Sequence, residues 1–530
     1  MTMTAPVADR FAGITVDPYA ALDVESAEMW RELLDVPPKR GVAAEFEVEI
    51  FDSAYGPLGI IGDYSSCKVK FVHNGVGPGQ LVIPGFSEFA DLVMTCDENV
   101  IPVRVRYNGK NYDSRVDEAI RSGVGSNKTI TVNLVDNYVW FHAIMAYPMP
   151  IPGFEEFQFP PEDLYVGPLR GAIYWYLQRN VWRLQFRTGQ CPITLLPYDL
   201  WTDTSEWVTM QARMVPLDEL FAEVLKDSTC QLRIRMWIKG RDPQPMPGRI
   251  TLLKSQLIVD VIDRPKTGGV LNTGTLLDGL ANTIGEAVAD GIDSVLGGFL
   301  PGLAELITSK LKTTEMPSCI WSEDSDGVID VTEAATHPKG YSAVVGGRSP
   351  TWMNKLIQMG IEAGVTALLS WAGLVIPGLA SALGGVLNNV FLAFMKATDY
   401  QLKRKLGEFA LPEVFANGGS AAYTFSAFQV AKLALFDNAG KRRAKVTVLD
   451  YAPFGAFDDF DIGHLVGWRT SSKTFFDRVT SIEINDSRDE RVVVSTVIGD
   501  DDPEKAPGQK SIEKLKRLFS MVNAAAMAFN

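Results

Sequence analysis

Histidine is scarce in this chain of 530 residues. There are four, His73, His142, His337 and His464, and no HExxH or HxxxH pair among them. That spacing excludes the helical zinc-protease pattern. Cysteine is thin too: Cys67, Cys96, Cys191, Cys230 and Cys319 are odd in number and far apart. Without a CxxC pair there is no zinc ribbon, and a disulfide scaffold is not expected; the five read as reduced thiols, mostly buried. Positive charge is in deficit, with 50 Lys and Arg against 64 Asp and Glu, a net charge of −14. This argues against a generic nucleic-acid surface, which needs clustered cations, and against simple adsorption to anionic lipid. Neither a GxSxG elbow nor a GxxxxGK[ST] loop is present. The start, "MTMTAPVADRFAG", has no basic segment ahead of an apolar run. It is not read as a signal peptide, and synthesis in a cytoplasm is expected.

What is present is largely a strand pattern. Residues 1–40 are mixed and Pro-containing and read as an arm. Over 41–155, "EFEVEIF", "SCKVKFV" and "IPVRVRYNGKNYDSRV" alternate, the last around an Asn-Gly hairpin signal, and "TITVNLVDNYVWFHAIMAYP" continues the series. Over 156–265 the pattern is α+β. "GPLRGAIYWYLQRNV" places Ile173, Leu177 and Val181 on one helical side, and "PLDELFAEVLKDS" is a second helix. The strands "CQLRIRMWI" and "SQLIVDVID" follow. Residues 266–420 read as a helical, apolar insertion, 421–505 as a closing β module and 506–530 as a C-terminal helix. In the insertion, Leu276, Leu280, Ile284, Val288, Ile292 and Val295 form one stripe of a helix over 275–296, with Asp278, Asn282, Glu286, Asp290 and Asp293 on the opposite side.

Charge of either sign is missing from "ALLSWAGLVIPGLASALGGVLNNVFLAF", residues 367–394. A spanning helix needs about 20 apolar residues without a strong break, and Pro377-Gly378 interrupts this run. A helical hairpin is expected, from about Thr351 to Ile376 and from Leu379 to Lys396. Leu369, Leu374, Ile376, Pro377, Leu379, Leu383, Val386 and Phe391 would be the residues with which it closes a channel or meets a membrane. Helices apolar on all sides are buried in protein or in lipid. Burial in an assembly is the favoured reading, and entry into a host membrane is the alternative.

Two further stretches have competing readings. "SEDSDGVIDVTE", 322–333, follows calcium-loop order, with Asp324, Asp326, Asp330 and Glu333 as ligands, but Ser322 stands where the pattern wants Asp. The competing reading is an acidic turn before a short strand. "GVGPGQ", 75–80, is Gly-rich, but no helix pattern follows it to hold a phosphate, so a β-turn is expected.

The last strands carry a resemblance. "FDDFDIGHLVGWRTSSKTFFDRVTSIEINDSRDERVVVSTVIGDDD", 457–502, resembles the closing β module of siphophage tail-hub proteins: Asp-Ile-Gly-x-Leu-Val, a hairpin, then Val-x-x-Gly-Asp. "FEVEIFDSAYGPLGIIGDYSSCKVKFVHNGVGPGQLVIP" looks like the opening of the same family, and "TVNLVDNYVWFHAIMAYPMP" and "VGPLRGAIYWYL" also fit. The likeness spans about 41–265 and 421–505 and points to minor tail proteins of phages infecting mycobacteria. It implies an α+β fold with antiparallel β-barrel, tube-forming hub domains, assembled as a homotrimeric baseplate hub. The implied partners are a distal tail protein, other minor tail proteins and a tape measure protein, with phage DNA passing through the channel. The implied place is the tail tip of a virion. No cofactor and no enzymatic activity are expected. The chain passes from the hub module straight to a helix, without the hydrolase domain that some tail hubs carry; a cell-wall hydrolase remains the enzymatic alternative.

Overall fold

The computed structural model describes residues 46–264, 317–346, 394–416, 425–449, 454–470 and 474–499, apart from 153–157, 159, 189–190, 200–202, 204, 206, 227, 326 and 489. The expected N-terminal arm, helix 275–296, most of the hairpin 351–395 and the C-terminal helix lie outside these residues.

The first segment alternates between a core side and a water side, and folds into β1 (Phe46–Phe51), β2 (Pro57–Ile60), β3 (Ser66–Val72), β4 (Pro78–Pro84), β5 (Pro102–Tyr107), β6 (Lys110–Ser122) and β7 (Thr129–Asp136), with the short helix α1 (Ala90–Val93). The Asn-Gly signal is used: Asn108 and Gly109 both have positive φ, 52° and 72°, and join β5 to β6 in a two-residue turn. The loop at 75–80 is a turn from β3 into β4 with no helix after it.

The next segment holds α2 (Val139–His142), β8 (Met145–Ala146), β9 (Asp163–Pro168), α3 (Leu169–Thr188), β10 (Ile193–Leu195), β11 (Trp207–Ala212), β12 (Val215–Pro216), α4 (Leu217–Lys226), β13 (Cys230–Trp237) and β14 (Gln256–Asp263). Ile173, Leu177 and Val181 of α3 are buried, as the helical spacing requires, and so are Leu217, Phe221 and Leu225 of α4. Both helices share a core with the three-stranded sheet β10-β14-β13.

The later segments are β15 (Ile320–Ser322), β16 (Val328–Thr336), β17 (Ser342–Gly346), β18 (Phe394–Thr398), α5 (Tyr400–Leu406), β19 (Glu413–Ala416), α6 (Phe425–Asn438), β20 (Lys441–Leu449), β21 (Leu465–Arg469), β22 (Thr474–Ser487) and β23 (Glu490–Gly499). Three expectations are corrected here. The described parts of 266–420 form the five strands β15 to β19 and the short helix α5, and "VIDVTEAAT" and "SAVVG" are rich in β-branched residues. Residues 394–396, read as the end of the second hairpin helix, are strand instead: Phe394–Thr398 pairs with β17. The closing module, read over 421–505 as strands, begins with the helix α6.

Strand pairing joins the two ends of the chain. Ser481 to Ser487 of β22 run antiparallel to Val72 to Ser66 of β3. The described residues thus include a 13-stranded sheet, β16-β20-β23-β22-β3-β4-β7-β6-β5-β1-β2, with β21 beside β22 and β15 beside β21. One core fills it, from Val48 to Ile498, with Trp321 and Trp468 wholly buried. A closed barrel is not formed among the described residues, because no pairing joins β2 to β16. β2 is four residues long, exposed, and begins with Pro57, which has no N–H to give to a neighbour.

A small third core lies in an excursion from this sheet. Thr336 of β16 pairs with Lys441 of β20, so the chain between them leaves and returns at one place. Within it, Ala343, Val345 and Ala397 of the sheet β18-β17-β19 pack against Ala431 and Leu435 of α6.

Candidate functional site

The first and second cores meet at a dense polar seam, and it is the best-built site in the described residues. Arg104 on β5 is 1% exposed. Its Nε donates to Asp113 Oδ1 at 2.7 Å, its Nη2 to the Met236 carbonyl at 2.7 Å, and its Nη1 faces Asp242 at 3.2 Å. Asp113 uses its other oxygen to accept the Met236 N–H at 2.7 Å. Burial opposes the charge on Arg104, yet Asp113 and Asp242 hold its pKa above the ordinary guanidinium value. Beside it, Arg241 donates to buried Glu49 at 2.6 Å. This seam has a partner for each charge, the condition under which burial of charge is tolerated.

A second clamp lies at the β3–β4 turn. Asn74, held at φ 52°, donates through Nδ2 to the Cys230 carbonyl at 2.8 Å and accepts the Leu232 N–H at 2.8 Å. Its amide thus extends the edge of β13. Arg264 ties the end of β14 to Gln231 at 3.0 Å and to the Ile462 carbonyl at 2.9 Å. His73 sits between these groups: a Cβ on Gly463 would lie 3.2 Å from His73 Nε2 and 3.0 Å from Arg264 Nε. Removal from water, then Arg478 and Arg264, push the imidazole pKa down to about 4. Where β7 leaves the sheet, Asp136 Oδ1 accepts the Tyr138 N–H at 2.7 Å. Burial, aided by Asp113 and opposed by that hydrogen bond, raises Asp136 to about 7.

The residues singled out by sequence fare differently. Asp324 is in an exposed turn, Asp330 and Glu333 are exposed on β16, and Asp326 lies outside the described residues. The Glu333 carboxylate accepts the Trp468 indole N–H. Among the described residues, no group of three or more His, Cys, Asp or Glu could hold a metal ion. Leu369, Leu374, Ile376, Pro377, Leu379, Leu383, Val386 and Phe391 all lie outside the described residues, but their flanks do not: Gly346 pairs with Phe394. His464 precedes β21, with Nδ1 3.1 Å from Ser318 Oγ. His142 faces Asp218 at 3.1 Å on the surface between α2 and α4. Among the described residues, no helix is long and apolar enough to cross a membrane.

Sequence reasoning missed the seam. Its signal was available in "PVRVRY", where Arg104 and Arg106 occupy a strand that pairs on both sides. A long cation on an inner strand needs a carboxylate partner, and Asp113 lies across the hairpin from Arg104.

The family described as "Siphovirus ReqiPepy6 Gp37-like protein" matches residues 47–500, and the chain belongs to it. The minor tail protein Gp28 of Mycobacterium phage L5 is 22% identical, over 91% of this chain and 94% of that one. Among solved structures, the 43 kDa tail protein of prophage MuSo2 from Shewanella oneidensis aligns with a TM-score of 0.42 at 9% identity, over 86% of this chain and 98% of that one. The prophage tail protein gp18 from Listeria monocytogenes aligns with a TM-score of 0.41 at 9% identity, over 89% and 99%.

Proposed function

We propose, with membership of that siphovirus family as the premise, that this chain is a structural minor tail protein of the virion. Its finer role is a homotrimeric tail-tip or baseplate hub that continues the tail tube and closes or gates its lower end for DNA delivery. The observation that carries this reading is the open 13-stranded sheet built from early and late segments of the chain, with β2 and β16 at its edges among the described residues. Open edges suit lateral pairing between copies, and a tube component needs that pairing and no reaction chemistry. The partners in this reading are a distal tail protein above, other minor tail proteins around it and the tape measure protein inside. DNA passes without sequence recognition, for which a net charge of −14 is suited, since a basic lumen would hold phosphates. The protein is made in the bacterial host cytoplasm and ends at the tail tip.

The test is the mass of the purified chain in solution at assembly concentration, followed by imaging of labelled particles. A trimer at the tail tip is expected; a stable monomer away from the tip overturns the hub. Leu383→Asp places a charge in the uncharged stretch and is expected to block trimer formation while the outer sheet stays folded.

A second reading is favoured by one observation. Residues 347–393 leave β17 and return to β18 at paired positions, so the uncharged stretch is presented from a single point. A membrane-active tip would use such a presentation to reach host lipid. Leakage of liposomes by the soluble protein supports it, and normal assembly of Leu383→Asp with loss of DNA delivery alone points the same way. The cell-wall hydrolase alternative predicts clearing in a zymogram of host cell wall.

A further inference from the structure

We propose that His73 is an acid-sensitive latch: when its imidazole takes up a proton between Arg264 and Arg478, the Asn74 clamp on β13 releases and the two main bodies of the protein loosen along their seam. His73 and Asn74 are neighbours in one turn, so the ring and the clamp move together. The His73 N–H donates to the Thr480 carbonyl of β22 at 2.8 Å, which fixes the turn to the first body. The Asn74 amide holds the Cys230 carbonyl and the Leu232 N–H of the second. The ring therefore sits where the two bodies are pinned.

The groups around the ring make a proton unwelcome. From β22 comes Arg478, whose Nη1 donates to the Gly463 carbonyl at 2.5 Å. From the end of β14 comes Arg264, whose Nη2 bridges Gln231 and Ile462. From the loop before β21 comes Gly463, at φ +78°, close against the imidazole. Of the carboxylates nearby, Asp461 pairs with Lys110 at 2.6 Å and Asp263 accepts from the Thr229 hydroxyl at 2.8 Å. A proton on the ring adds positive charge beside Arg264 and Arg478, and separation or water entering the seam relieves it. Asp136, also at this seam, acts in the opposite sense, since acid neutralises it.

Amide hydrogen exchange on the whole chain tests the latch, at about pH 7 and about pH 5, with intrinsic exchange rates corrected. On acidification, peptides covering Leu232 to Met236 are expected to lose protection by about tenfold while β3 and β4 keep theirs. His73→Gln, which keeps a neutral polar side chain, is expected to abolish that loss; Asp136→Asn is expected to leave it in place. Unchanged protection in the wild-type chain overturns the proposal, and so does equal loss in His73→Gln or loss across both bodies together. Should His73→Gln not fold, the wild-type imidazole resonances decide: a charged ring with the Leu232 amide still protected overturns the latch, and a ring that charges only as that amide opens supports it.

Discussion

Charge is buried at the seam only where geometry answers it, and single residues there have large expected effects. Arg104 satisfies Asp113 and a carbonyl of β13 together. Arg104→Ala leaves Asp113 enclosed without its cation, and a loss of about 3–5 kcal/mol in denaturant unfolding is expected. Asp136 gives a pH signature. Its pKa in the folded chain is raised to about 7 from the ordinary carboxylate value, so the folded state holds a proton that the unfolded state releases. The stabilisation is whole below the unfolded pKa and is lost as pH rises toward 7. Three units at ~1.4 kcal/mol each set a ceiling of roughly 4 kcal/mol. Melting temperatures of Asp136→Asn between about pH 4 and pH 8 are expected to fall less with rising pH than those of the parent. A parallel pair of curves refutes the assignment. His73 has the opposite sign: its pKa is lowered to about 4, so its contribution is present above the unfolded histidine value and is lost as pH falls.

Among the elements, the Gly-rich turn between β3 and β4 shows why its glycines are there. A Cβ on Gly77 would lie 1.9 Å from the Lys70 carbonyl oxygen, and the Tyr112 hydroxyl donates to the Gly77 carbonyl at 2.6 Å. Gly109, by contrast, has open space around it and only its positive φ of 72° to protect. Gly77→Ala is expected to destabilise by several kcal/mol, Gly109→Ala by roughly 1 kcal/mol, read as the difference in unfolding midpoints. Equal effects contradict the packing account. The edge strand β2 tests the assembly reading, since Leu58 and Ile60 are 48% and 55% exposed. The double substitution Leu58→Lys with Ile60→Lys is expected to leave the monomer folded and to lower the trimer fraction in ultracentrifugation. An unchanged trimer fraction removes β2 from the interface.

For the whole molecule, β22 is the hinge of the architecture. It pairs with β21 through Thr474 to Arg478 and with β23 and β3 beyond that point. The C-terminal strands are thus interior members of a sheet whose other half comes from the start of the chain. Limited proteolysis is expected to cut first near 265–275 and 415–420. The fragments carrying 46–264 and 441–499 are then expected to co-elute until denaturant separates them. Early cleavage within 479–498, or fragments that part in native buffer, contradicts the shared sheet.

The sequence by itself determined the local elements and the family. Alternation is a property of neighbouring residues, so "SCKVKFV" and "PVRVRY" read as strands without any partner, and the spacing of Ile173, Leu177 and Val181 set α3. The order of motifs at both ends carried the siphophage resemblance, which the match over 47–500 bears out. Only the tertiary structure decided what those elements meet. The pairing of β22 with β3 spans about four hundred residues, and no local pattern encodes a partner at that distance. The open edge at β2, the excursion between β16 and β20 and the seam around Arg104 arise the same way. They depend on which backbone groups and charges are brought together, and hydrogen bonds and ion pairs act over a few ångströms of space, whatever their separation along the chain.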